Sequence, residues 1–134
     1  MRIRVLALAA SLAVAGAGHA AAQSAEEGLK LFFQTGSAAV GRDGGDTLDR
    51  AARLFRDGNP IVMIVSGVAD TVGSPDRNLD LSLRRAHTVA NGQEARAIPA
   101  QRLQVVGLGN SELVVRTADE APNQDNRVVI ITWR

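Results

Sequence analysis

The chain has 134 residues, no cysteine, and 15 basic against 14 acidic side chains. The missing cysteine excludes disulfides, thiol chemistry and cysteine-based metal sites. The near-balance of charge gives no sign of the clustered positive face that a nucleic-acid-binding domain needs.

The first residues, Met1-Arg-Ile-Arg, lead into an apolar, small-residue run from Val5 to Gly18 and then Ala20-Ala21-Ala22. This pattern predicts a secretory signal peptide over residues 1–22, with Gln23 opening the mature chain. The apolar run falls short of the roughly 20 residues that a transmembrane helix needs. No cysteine follows it, so a lipoprotein anchor has no attachment point in this sequence. Removing Arg2 and Arg4 leaves 13 basic against 14 acidic residues, so the small excess of positive charge belongs to the export signal.

Residues 23–28 form a short polar lead, and 29–134 have the length of one domain with a single core. Leu29 to Phe33 is a short strand candidate. The glycines at 36, 41, 44 and 45 mark Gly36 to Gly45 as a flexible loop, with no phosphate-binding pattern in it. Asp46 or Thr47 can cap the following helix, in which Leu48, Ala51, Ala52 and Phe55 recur at helical spacing until Asp57 to Pro60 ends it. Ile61 to Val65 is an unbroken apolar run of the kind found in strands covered on both faces. Ser74 and Pro75 start a second helix expected to reach about Arg96. Leu103 to Gly107 and Arg127 to Trp133 read as the last two strands. The order implies an α/β sandwich, βαβαββ, with a mixed sheet of about four strands and two helices on one face.

On a wheel of the second helix, Leu79, Leu83, Ala86 and Ala90 form the expected core stripe. Asn78, Ser82 and Arg85 cluster beside it, while Arg84 turns toward solvent. Asp70 lies just past a strand's carboxyl end, where functional loops of such sheets gather. Two readings fit this pattern. Asp70 and Arg85 could form an internal ion pair pinning helix to loop, or they could clamp a ligand carrying both an ammonium and a carboxylate. In the second reading, replacing either by alanine should alter thermal unfolding little.

Catalysis has little support. His87 is the one histidine of the mature chain and falls past the edge of the core stripe, so neither a serine-histidine-aspartate arrangement nor a zinc site can be assembled around it. No enzymatic activity, cofactor or metal is expected.

The stretches "LFFQTGSAAV", "GVADTVGSPDRNLDLSLRRAHTV", "IPAQRLQVVGLGNSE" and "NRVVI" resemble the OmpA-like peptidoglycan-binding domain over nearly the whole mature chain. The resemblance is most specific at Asp70, Gly73, Asn78, Leu81-Ser82, Arg85 and Ala86. It implies a non-catalytic module in the periplasm of a Gram-negative bacterium, outer membrane associated, that tethers the envelope to the wall by gripping the diaminopimelate residue of the peptidoglycan stem peptide. On that resemblance Asp70 meets the diaminopimelate ammonium and Arg85 its carboxylate, Asn78 and Ser82 line the site, and Arg127 stands at its rim. The chain departs from the family pattern at Gln34, at Val68-Ala69 and at Val128. It also departs at Gly92 and Gln93, which predict a frayed end to the second helix. These departures keep open an alternative, a protein-interaction module of an envelope complex with weakened wall binding.

Overall fold

The structure is a computed structural model, and it describes residues 28–134. The expected signal peptide at 1–22 and the lead as far as residue 27 lie outside the described residues. The order is β1 (Leu29–Phe32), α1 (Arg42–Gly58), β2 (Met63–Val68), α2 (Pro75–Glu94), β3 (Leu103–Gly107) and β4 (Val128–Trp133). Short 3-10 turns, Ala100–Arg102 and Gln124–Asn126, lead into β3 and β4. The four strands form one mixed sheet in the order β1-β4-β2-β3. β2 runs parallel to β3, and β4 is antiparallel to both its neighbours, with Val68 opposite Val128. Consequently the carboxyl ends of β1, β2 and β3 and the start of β4 share one end of the sheet.

Both helices lie on the same face. Leu31, Met63, Val65, Val129 and Ile131 alternate onto that face and close the core with Leu48, Ala51, Ala52 and Phe55 of α1 and Ala86 and Val89 of α2. Each large apolar side chain so buried contributes about 1.5–3 kcal/mol. The other face is more open, with Lys30, Phe32 and Gln104 exposed and Ile64 and Ile130 half-buried. The apolar run at 61–65 is therefore not covered on both faces by helices. β2 begins at Met63, and Ile61 is 82% exposed.

Three expectations change for reasons of packing. α1 starts at Arg42, capped only by the backbone of Gly41, so Gly44 and Gly45 are helical and not part of a loop. A Cβ on Gly44 would stand 2.5 Å from Val40 Cγ1 and 3.3 Å from Leu31 Cδ2, so a larger residue here would make the Val40 side chain shift. Tertiary packing overrides the poor intrinsic helix preference of glycine. At the other end of the core, α2 does not fray at Gly92 and Gln93. Gln93 is wholly buried and its Nε2 donates to the Leu48 carbonyl at 3.2 Å, while Gly92 lets Leu48 approach. The helix ends at Glu94, two residues before Arg96, and Ala97 turns out of it with φ 67°.

Two glycines set the site. Gly67 of β2 pairs with Gly107 of β3 directly beneath α2. A Cβ on Gly67 would fall 2.0 Å from the Ser82 carbonyl oxygen, and one on Gly107 2.4 Å from Leu83 Cγ. Bare backbone at the end of two strands thus lets the first turns of α2 settle onto the sheet.

Candidate functional site

That close approach moves the buried face of α2. Asn78, Ser82, Arg85, Ala86, Val89, Ala90 and Gln93 are buried, whereas Leu79, expected in the core, is 45% exposed. The polar residues are part of the buried stripe, not beside it. Ser74 caps the helix by accepting from the Arg77 N–H at 3.3 Å, and Pro75 follows at its first position.

Asp70 and Arg85 do not form an ion pair with each other. Arg85 is 0% exposed and lies over the Phe33 ring, 5.4 Å from its centroid. Its Nε donates to the Ser37 carbonyl at 2.9 Å, Nη2 to Gln34 at 3.1 Å and Nη1 to Val68 at 3.4 Å. The side chain therefore holds the β1–α1 loop against β2. Burial pushes its pKa well below the ordinary arginine value, down to about 10; Asp70 opposes the fall, and Arg127 and Arg84 add to it. Of the five guanidinium N–H groups, three are used and two remain.

The ion-pair partner of Asp70 is Arg127, whose Nη1 lies 3.0 Å from Oδ2 with side-chain exposures of 12% and 8%. Arg127 was expected at the rim, but the antiparallel pairing of β2 and β4 puts it at the base of the site. Its Nε also donates to the Phe33 carbonyl at 3.2 Å. Asp70 Oδ2 further accepts from the Asn123 N–H, and Oδ1 accepts from the Val72 N–H. A carboxylate has about four acceptor positions, so one on Oδ1 is left. The loop behind Asp70 is fixed by Thr71, whose hydroxyl donates to the Ala118 carbonyl at 2.7 Å and accepts from Ala121 N–H.

These residues surround a pocket of about 200 Å³, lined by Thr35 and Gly36, Asp70, Val72 and Gly73, the first turns of α2 and Arg127. Asn78, 4% exposed, lines it, and its Nδ2 has no hydrogen-bond partner among the described residues. Ser82 lies outside it. Its hydroxyl donates to the Leu79 carbonyl at 2.8 Å and accepts from the Gly109 N–H at 2.9 Å, tying the loop after β3 to the helix. Arg84 faces solvent as expected and pairs with Asp80 at 3.0 Å, yet it also reaches the pocket mouth. Leu81, which entered only through the family resemblance, lines the pocket too, and so does Arg77, which the sequence pattern did not single out. They sit on the same flank of the wheel as Arg84, one turn apart from one another, and that spacing was available beforehand.

His87 is exposed on the far side of α2, and among the described residues no group of histidine, aspartate or glutamate side chains could hold a metal ion. No helix among them is long and apolar enough to cross a membrane.

A family model for the OmpA family matches residues 32–127, which spans every element from the end of β1 to the start of β4. The chain belongs to the OmpA family. The peptidoglycan-associated lipoprotein of Mesorhizobium japonicum is 30% identical over 129 residues, covering 92% of this chain and 77% of that protein. Among solved structures, the peptidoglycan-associated lipoprotein of Burkholderia pseudomallei superposes with a TM-score of 0.71 at 22% identity, over 78% of this chain and 89% of that one. The OmpA-like domain of FopA1 from Francisella tularensis gives a TM-score of 0.70 at 18% identity, over 76% of this chain and 68% of that one. The OmpA-like fold expected from the sequence is thus the fold observed, with its mixed four-stranded sheet and two helices.

Proposed function

We propose that this OmpA-family chain is a non-catalytic wall-binding module whose pocket grips the free end of a diaminopimelate residue in the peptidoglycan stem peptide. The reading places the protein in the periplasm of a Gram-negative bacterium, associated with the outer membrane. The names of its relatives point to peptidoglycan. The observation that carries the ligand is the buried Asn78 Nδ2, a donor without an acceptor in a pocket that also contains Asp70 and Arg85. A buried polar group left unpaired costs about 1–3 kcal/mol, and a ligand carboxylate would remove that cost.

In this mechanism the free acceptor position on Asp70 Oδ1 receives the ligand ammonium. The two spare N–H groups of Arg85 and the Asn78 amide donate to its carboxylate. Arg127 serves as the countercharge that keeps Asp70 ionised and aimed. Ser82 acts through Gly109 and meets no ligand atom.

The test is sedimentation with peptidoglycan carrying diaminopimelate, set beside peptidoglycan carrying lysine at the same position. Wild type should sediment with the first and far less with the second. Asn78→Leu removes the unpaired donor without removing any side-chain hydrogen bond among the described residues, so it should bind at least tenfold more weakly while unfolding at the same or a higher temperature. Equal binding to both walls, or full binding by Asn78→Leu, would refute the ligand assignment.

A further inference from the structure

The walls of this pocket hold more positive charge than a zwitterionic amino-acid head can use. Arg77, Arg84, Arg85 and Arg127 line it against the single carboxylate of Asp70. Arg127 and Asp70 neutralise one another, and Arg85 is held only by neutral carbonyls. That buried charge is enough for one ligand carboxylate. Arg84 shares its charge with Asp80. Arg77, one residue before Asn78, forms no ion pair among the described residues. Its guanidinium stands at the mouth of a pocket whose one carboxylate is already paired.

We propose that Arg77, aided by Arg84, forms a second carboxylate subsite at the pocket mouth, so that the site selects peptides bearing another free carboxylate beside the zwitterionic head. The inference rests on the wall-binding reading above. Both arginines project from the solvent-facing flank of α2, each one residue before Asn78 or Arg85, and they stand seven residues and two turns apart along the helix at the pocket that all four line. A ligand whose head is seated on Asn78 and Arg85 therefore passes between them as it leaves the pocket. Planar forks in that position suit a carboxylate and have little to offer a carboxamide, which carries no charge. Because Arg77 is exposed, its contribution is screened by salt, whereas that of buried Arg85 is not.

The experiment measures binding of γ-D-glutamyl-diaminopimelate by calorimetry at low ionic strength. The comparison peptides carry a carboxamide in place of either the glutamate carboxyl or the peptide-linked diaminopimelate carboxyl. Wild type should bind the free peptide about three- to tenfold more tightly than at least one amide, an advantage that shrinks at high salt. Arg77→Gln should bind the free peptide as weakly as that amide and leave affinity for the amide itself unchanged, and Arg77→Lys should restore part of the preference. Equal affinity of wild type for all three peptides overturns the second subsite while leaving the wall-binding reading in place. Undiminished preference in Arg77→Gln overturns it as well. Failure of wild type to bind any of the three peptides overturns both.

Discussion

Arg85 is the residue most easily mistaken for a ligand contact alone, and Arg85→Met separates its two duties. The methionine keeps an unbranched stem over Phe33 and removes the charge together with three hydrogen bonds. Two effects oppose each other. The fall in pKa from the ordinary arginine value to about 10 means that holding the charge in place costs about 3 kcal/mol, which the substitution returns. Against that stand two well-formed bonds from a charged donor, at 2.9 and 3.1 Å, each worth about 1.5–3 kcal/mol, and a longer third. The carbonyls of Ser37 and Gln34 belong to an exposed loop and can turn to water. That of Val68, whose residue is 1% exposed, cannot.

The balance is a loss of about 2 kcal/mol, with roughly 2–5 kcal/mol more for Arg85→Ala because of the cavity it leaves. For a domain of roughly 100 residues, 2 kcal/mol lowers the Tm by about 10 °C. Thermal and urea unfolding followed by circular dichroism measure it. An Arg85→Met variant as stable as wild type would show that the three carbonyl bonds do no more than offset burial of the charge, as can happen when buried ions are replaced by apolar groups. The same reasoning corrects the expectation that alanine at this position spares the fold, so lost binding in Arg85→Ala cannot be assigned to the ligand without a stability measurement.

Three other outcomes follow from the geometry. Asp70→Asn leaves Arg127 almost enclosed without a countercharge and should cost about 2–4 kcal/mol in urea unfolding. Gly67→Ala, whose Cβ meets backbone at 2.0 Å, should cost about 3 kcal/mol or more. Gly107→Ala, which meets the end of the Leu83 side chain, should cost clearly less when the two are compared by thermal unfolding. The lowered pKa of Arg85 means that from about pH 10 up to the ordinary arginine pKa the unfolded chain binds more protons than the folded one, so stability rises with pH in that window. Wild type should therefore gain about 1 kcal/mol on Arg85→Met between pH 9 and 11, a comparison eased by the absence of tyrosine and cysteine from the chain.

The fold was legible because its signals are periodic. β3 appears at the residues expected, and α1 carries its predicted apolar face on Leu48, Ala51, Ala52 and Phe55. What failed was the inference from residue type at places where backbone meets backbone. Glycine in a sequence signals freedom, yet a Cβ on Gly67 would meet backbone, and Gly44 and Gly92 let the Val40 and Leu48 side chains pack close. Leu79 signals a core, yet the close seat of α2 on Gly67 rotates the helix until Asn78, Ser82 and Arg85 face inward.

The same distinction explains why the pairing of Asp70 was misread. A carboxylate and an arginine facing one another across a loop suggest an ion pair, because the competing acceptors for Arg85, three main-chain carbonyls, leave no mark in the sequence. The identity of the true partner was nonetheless implicit in strand pairing. Once β4 runs antiparallel beside β2 with Val68 opposite Val128, Arg127 must stand next to Ala69 and within reach of Asp70. The consequence reaches the site itself. An Asp70 bound to Arg85 would have closed the pocket on its own charges. With Asp70 held by Arg127 and Arg85 held by the loop, each keeps bonding capacity to spare, and Asn78 Nδ2, in the same pocket, has no partner among the described residues.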